Sequence, residues 1–192
     1  MSVTLAIIII NCIVSFICFN NAEYFNKLAH IPFIESRFGE YSRLITSGFV
    51  HANLMHLGIN MYVLYQFGTL VEERMGSIMF IIMYLGAILI ANIPSYFKQK
   101  DNREYIAIGA SGAVSATLFS FILFRPWDTL GVFGIIPMPA FVFGLLYLAY
   151  EQYASKNMND NVGHDAHISG AIFGFLFTFI LHPSLLANIF DR

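Results

Sequence analysis

The chain has 192 residues; 57% are hydrophobic and only 11% are charged. A soluble domain is about a quarter charged, so this chain lacks the charge to cover a soluble core, and its composition points to a membrane. The net charge of −2, with no basic stretch, gives nothing that would attract nucleic acid.

A spanning helix needs about 20 mostly apolar residues. Six stretches approach this, at Val3 to about Asn20, Asn53 to Phe67, Ser77 to Tyr96, Ile106 to Phe124, Met138 to Tyr153 and Ala166 to Ala187. The second is short and carries polar residues, and Pro137 and Pro139 precede the fifth. No internal repeat, low-complexity tract or linker divides the chain. The expectation is an all-α, polytopic membrane protein with a single domain over residues 1–192, embedded in a lipid bilayer. The N-terminus has no basic region or small-residue cleavage site and does not read as a removable signal peptide. Cys12 and Cys18 share the first helix about 9 Å apart along its axis, beyond disulfide reach.

Residues 21–50 form a long first loop rich in aromatics, with Lys27, Arg37 and Arg43. Loops of this length in compact proteins are usually functional. Arg125, Pro126 and Trp127 mark an interface. With a cytoplasmic N-terminus, the inside segments hold Arg74, Arg125 and Arg192, and the outside ones hold Lys27, Arg37, Arg43, Lys98, Lys100, Arg103 and Lys156. Loop charge alone therefore favours an external N-terminus.

Polar residues inside spans need a reason. On the second span His56 and Asn60 are four apart and share a face, while His51 lies about 140° from His56. The zinc-protease pair of histidines four apart is absent. A metal site of His51, His56, His164 and His167 lacks a carboxylate or Cys partner, and neither metal nor cofactor is expected. The fourth span opens with Gly109-Ala110-Ser111-Gly112, placing a serine near a helix N-terminus, where free N–H groups favour negative charge. The sixth opens with Ala166-His167-Ile168-Ser169-Gly170, followed by Gly174. His167, Gly170 and Gly174 line one face, and the glycines let another backbone approach closely. If that backbone is the fourth helix, His167 reaches Ser111. A lone buried histidine is more often structural, and His164 competes as a base, but the glycine face favours His167.

Together these segments resemble the rhomboid family of intramembrane proteases. Arg43 and the run Glu72-Glu73-Arg74 before Gly76 agree with it. The resemblance covers nearly the whole chain and implies a six-transmembrane-helix bundle with a Ser–His dyad in a water-filled cavity. It makes Ser111 the nucleophile and His167 the general base. His56, Asn60 and the Ser111 N–H become the oxyanion hole, and His51, Gly109, Gly112, Gly170, Gly174, Arg43, Glu72 and Arg74 supporting residues. Substrates would be transmembrane proteins whose helices are loosened by Gly or Pro, cut within or beside their spans. It also implies an internal N-terminus, against the charge count, and we expect the cell (inner) membrane. Three positions depart from the family pattern. Ser115 stands where an aromatic often stacks on the histidine, Ser42 where a Trp often precedes the arginine, and the polar loop Ala154–Gly163 is long. A non-catalytic binder of membrane proteins with the same fold is the runner-up. A transporter using the histidines is disfavoured by the lack of repeats and of charges in the spans.

Overall fold

In the computed structural model, residues 2–132, 136–158 and 162–190 are described. Arg192 and positions 159–161 of the polar loop fall outside them. Helix α1 (Val3–Asn20) leads into three short helices of the first loop, α2 (Ala22–Leu28), α3 (Pro32–Phe38) and α4 (Arg43–Thr46). Then come α5 (Leu54–Met75), α6 (Ser77–Gln99) and α7 (Ser111–Phe124). A small antiparallel hairpin, β1 (Thr129–Val132) with β2 (Ile136–Pro139), precedes α8 (Ala140–Asn157), α9 (His164–Leu181) and a final turn, α10 (Ala187–Phe190). The chain is an all-α membrane bundle with this one hairpin added.

The bundle is built around α7. Every residue from Gly112 to Leu123 is buried, as expected of a helix that is apolar all round. It packs against α5, α6, α8 and α9. Polar glue supplements the close packing. Thr178 donates to Ser120 at 2.8 Å, and the Ser120 hydroxyl lies 3.2 Å from the Gly174 carbonyl. The outer faces of α1, α5, α6, α8 and α9 expose large apolar side chains such as Ile13, Tyr62, Ile78, Leu145 and Ile180. In a membrane this pattern faces lipid.

Among the described residues, α1, α6 and α9 are long and apolar enough to cross a membrane. The other three expected spans differ for physical reasons. Helix α5 continues to Met75 and is diluted by His56, Asn60, Gln66 and Glu72; α8 is diluted by Glu151 and its neighbours. Helix α7 is apolar but begins at Ser111, not Ile106, because residues 106–110 form an irregular segment tied to the first loop. Helix α9, the sixth expected span, stops at Leu181, where Pro183 removes the next ladder donor, and not at Ala187. With 14 residues, α7 is about 21 Å long against about 30 Å of hydrocarbon.

Two side chains fasten the ends. Glu72 accepts from the N–H groups of Val3 and Thr4 at 2.8 Å each, from the Thr4 hydroxyl at 2.7 Å and from Ser77 at 2.8 Å. It thereby caps the N-terminus of α1 and ties it to the α5–α6 turn. Gly76 makes that turn at φ +84°. Arg43 is buried in the first loop, donating to the carbonyls of Asn26 and of Ala29 (3.1 Å) and to Glu40 (2.7 Å). Arg74 is exposed on the last turn of α5.

Candidate active site

The segment before α7 is held from two sides. His30 and Ala107 exchange backbone hydrogen bonds of 3.0 and 2.9 Å. The Gly109 N–H donates to the Ser47 carbonyl at 3.0 Å, and the Ala110 N–H to His51 Nε2 at 3.5 Å. Because Nε2 accepts, the proton of neutral His51 sits on Nδ1, which donates to Ser15 at 2.9 Å; Ser15 in turn donates to the Phe49 carbonyl at 3.0 Å. Burial, then the charge of His56, lowers the His51 pKa to about 4, so it is neutral at physiological pH. His51 thus joins α1, the first loop and the residue preceding Ser111.

Gly109 has φ +123°, and a Cβ there would lie 2.7 Å from Cε1 of His56. Only glycine permits both the backbone and the ring beside it. On the other side of Ser111, a Cβ on Gly112 would meet Ala91 and lie 3.3 Å from the Ala166 carbonyl, one residue before His167. Ser111 is therefore bracketed by His56 and the turn that carries His167. The contacts of Gly112 with Gly170 and of Ala116 with Gly174 show that α7 and α9 run parallel with their backbones touching. The helical ladder of α7 begins with Val114 donating to Ala110, so the N–H groups of Ser111, Gly112 and Ala113 precede it.

Asn60 is buried beside His56 and donates one amide hydrogen to the His56 carbonyl at 2.8 Å. Its second N–H remains for another acceptor. His56 Nδ1 lies 3.5 Å from the Ala52 N–H.

One residue of the site is absent from the sequence reading. Glu151, on α8, is buried; its Oε1 lies 3.0 Å from His167 Nδ1 and its Oε2 2.6 Å from His164 Nδ1. The sequence signal was a carboxylate inside an apolar stretch. Ser115 instead meets a tyrosine of α8. Tyr147 Oη sits 2.7 Å from Ser115 Oγ, one turn before Glu151. A carboxylate contact replaces a stacked ring at His167. Of the four histidines weighed for a metal, His164 and His167 meet around Glu151, while His51 and His56 pair edge-on at 5.0 Å.

The family model for the rhomboid domain matches residues 38–184, which includes every one of these side chains except Ser15 and His30. The chain belongs to the rhomboid family. Among rhomboids it is 30% identical over 174 residues to rhomboid-like protein 11, chloroplastic, of Arabidopsis thaliana, covering 83% of this chain and 60% of that one. The mitochondrial presenilin-associated rhomboid-like protein of Rattus norvegicus is 31% identical over 153 residues, 77% of this chain and 40% of its own. A Bacillus subtilis protein named as a candidate rhomboid protease is 30% identical over 148 residues, 74% of this chain and 68% of that one. The chain thus spans between two fifths and three fifths of the two organellar rhomboids.

Proposed function

We propose that this rhomboid is an intramembrane serine endopeptidase in which Ser111 is the nucleophile and His167 the general base. The observation that carries the reading is the glycine contact of α7 with α9, which brings the helix end bearing Ser111 against the turn bearing His167. A serine hydroxyl needs a base to become a useful nucleophile. With Nδ1 of His167 on the Glu151 carboxylate, Nε2 is the nitrogen left for Ser111. The carboxylate holds the proton on Nδ1 and keeps the Nε2 lone pair available, as the acid of a triad does.

The steps follow. Ser111 Oγ attacks the scissile carbonyl carbon while its proton moves to His167 Nε2. The oxyanion meets the unladdered N–H of Ser111, the second amide hydrogen of Asn60 and the His56 imidazole. His167 then returns the proton to the leaving amine, freeing the C-terminal product. Water, deprotonated by His167, next hydrolyses the acyl-Ser111 ester. This chemistry needs no cofactor. Gly109, Gly112, Gly170 and Gly174 permit the approach; His51, Arg43 and Glu72 hold the loop and helix ends; among the described residues Arg74 has no contact that assigns it a role.

Because α7 is about 9 Å shorter than the hydrocarbon layer, its N-terminus lies below the membrane surface if its other end reaches the far interface. Irregular backbone at that depth needs partners within the protein or in a wet cavity, and here the N–H groups of Ala107, Gly109 and Ala110 donate to His30, Ser47 and His51. We read residues 1–192 as one six-span domain cleaving transmembrane substrates. Both ends of its core face the cytoplasm. Three of the cations that argue otherwise have partners within the chain: Arg43 is buried on loop carbonyls, and at the surface Arg37 pairs with Asp101 and Lys98 with Asp165. Placement in a cell membrane rests on the bacterial relative alone; the plant and animal relatives are named for plastid and mitochondrion.

A serine-reactive fluorophosphonate probe tests the reading. It should label the native chain, and labelling should vanish in both Ser111→Ala and His167→Ala. Labelling that survives Ser111→Ala contradicts it.

A further inference from the structure

We propose that Glu151, His164 and His167 form an inhibitory zinc site, in which a divalent cation takes over the atoms that hold the base. His164 and His167 are three apart on α9 and share a face; the carboxylate comes from the facing end of α8. One ligand atom from each residue lies within 4.8 Å of the other two. Both imidazoles turn Nδ1 to the carboxylate, at 2.6 and 3.0 Å. Zinc bonds of about 2.0–2.2 Å in a tetrahedron place ligand atoms roughly 3.3 Å apart. The two carboxylate contacts would open by less than about 1 Å and the imidazoles, within 4.8 Å of each other, would settle to the same spacing around the ion. The set of two imidazoles and one carboxylate suits zinc over magnesium or calcium. Among the described residues the ligands number three, water can complete the tetrahedron, and His167 is 15% exposed.

The consequence for the site follows from the imidazole itself. With its proton on Nδ1, shared with Glu151, His167 offers a lone pair at Nε2. With a metal on Nδ1, the neutral ring carries its proton on Nε2 and has no lone pair for the Ser111 proton. The bound ion also takes Glu151 from its orienting role. Zinc binding and proteolysis are then mutually exclusive, and release of the ion restores the base. The inhibition rests on the protease reading; the binding does not.

The full chain in detergent, titrated with Co2+ as a spectroscopic probe and back-titrated with Zn2+, tests the site directly. One Co2+ should bind per chain with the visible bands of a tetrahedral site, and Zn2+ should displace it. Ser111→Ala should bind equally well, since the serine is not a ligand. His164→Gln and Glu151→Gln should each weaken binding by about 100-fold or more, because loss of merely an outer-shell partner already costs 10- to 100-fold. In a cleavage assay Zn2+ should inhibit the native chain reversibly, and His164→Gln should keep cleaving with inhibition lost. If His164→Gln does not fold, the isosteric Glu151→Gln still decides the binding. No stoichiometric Co2+ binding, or binding undiminished in the ligand variants that fold, overturns the site. Tetrahedral Co2+ binding in a chain that cleaves nothing supports the site and overturns the protease reading.

Discussion

A Cβ atom on Gly170 would lie 2.9 Å from the Cα of Gly112 and closer still to its carbonyl oxygen. The two helices that carry the proposed nucleophile and base therefore meet backbone on backbone, and the space for one methyl group decides their distance.

Gly170→Ala should consequently separate α7 from α9. Overpacking of this kind costs roughly 3 kcal/mol at the upper end of the usual range, and activity should fall with it. Gly174→Ala should behave alike, since its Cβ would lie 2.6 Å from the Ala116 carbonyl carbon. Gly58→Ala is the control, with open space around its Cβ. Thermal unfolding in detergent, read beside cleavage, should show large losses in the first two and none in the third.

Glu151→Gln should lower kcat by about 100- to 10,000-fold with little change in KM, because an amide no longer fixes the proton on Nδ1 of His167. Glu151→Asp should recover part of the loss. A purely structural Glu151 would instead show parallel falls in melting temperature and activity for both variants, and steady-state kinetics with unfolding curves distinguishes the two.

The glycine face was legible because contact between helices is written along one helix: Gly170 and Gly174 are four apart, and any partner must come close. The same spacing put His167 one turn before Gly170, on the stretch of α9 that meets the Ser111 end of α7. Glu151 was not legible, since it is 13 and 16 residues from its two histidines and on a different helix, where no periodicity links them. His30 was missed for the same reason. It is fully buried, with Nδ1 2.6 Å from Glu35 and Nε2 2.9 Å from Ser95, a tie between the first loop and α6. Hydropathy ran the fourth span back to Ile106, because the loop that shapes the site is itself apolar: Ile106, Ala107 and Ile108 carry no polar side chain, and their departure from helix is set by pairing with His30.

His51, His56 and Asn60 should separate by what they lose. His51→Ala removes the link between Ser15 and the Ala110 N–H, and leaving such buried groups unpaired costs about 1–3 kcal/mol each; melting temperature and rate should both drop. His56→Ala and Asn60→Ala should lower kcat by roughly 10- to 1000-fold, the effect of losing an oxyanion donor, with a smaller effect on KM. Unfolding and kinetics of the three variants decide the assignment. Parallel losses of stability and rate at positions 56 and 60 would remove the oxyanion role and leave Ser111 and His167 untouched.

The most direct measurement is cleavage of a single-span substrate, with a glycine-loosened helix and a small residue at the cut, by the purified chain in lipid vesicles. Products are identified by mass. The native chain should yield two fragments split within or beside the span. Ser111→Ala and His167→Ala should yield none while keeping native helicity and melting temperature. Fragments from Ser111→Ala at the native rate, or none from a folded native chain against several such substrates, would contradict a serine protease built on Ser111 and His167.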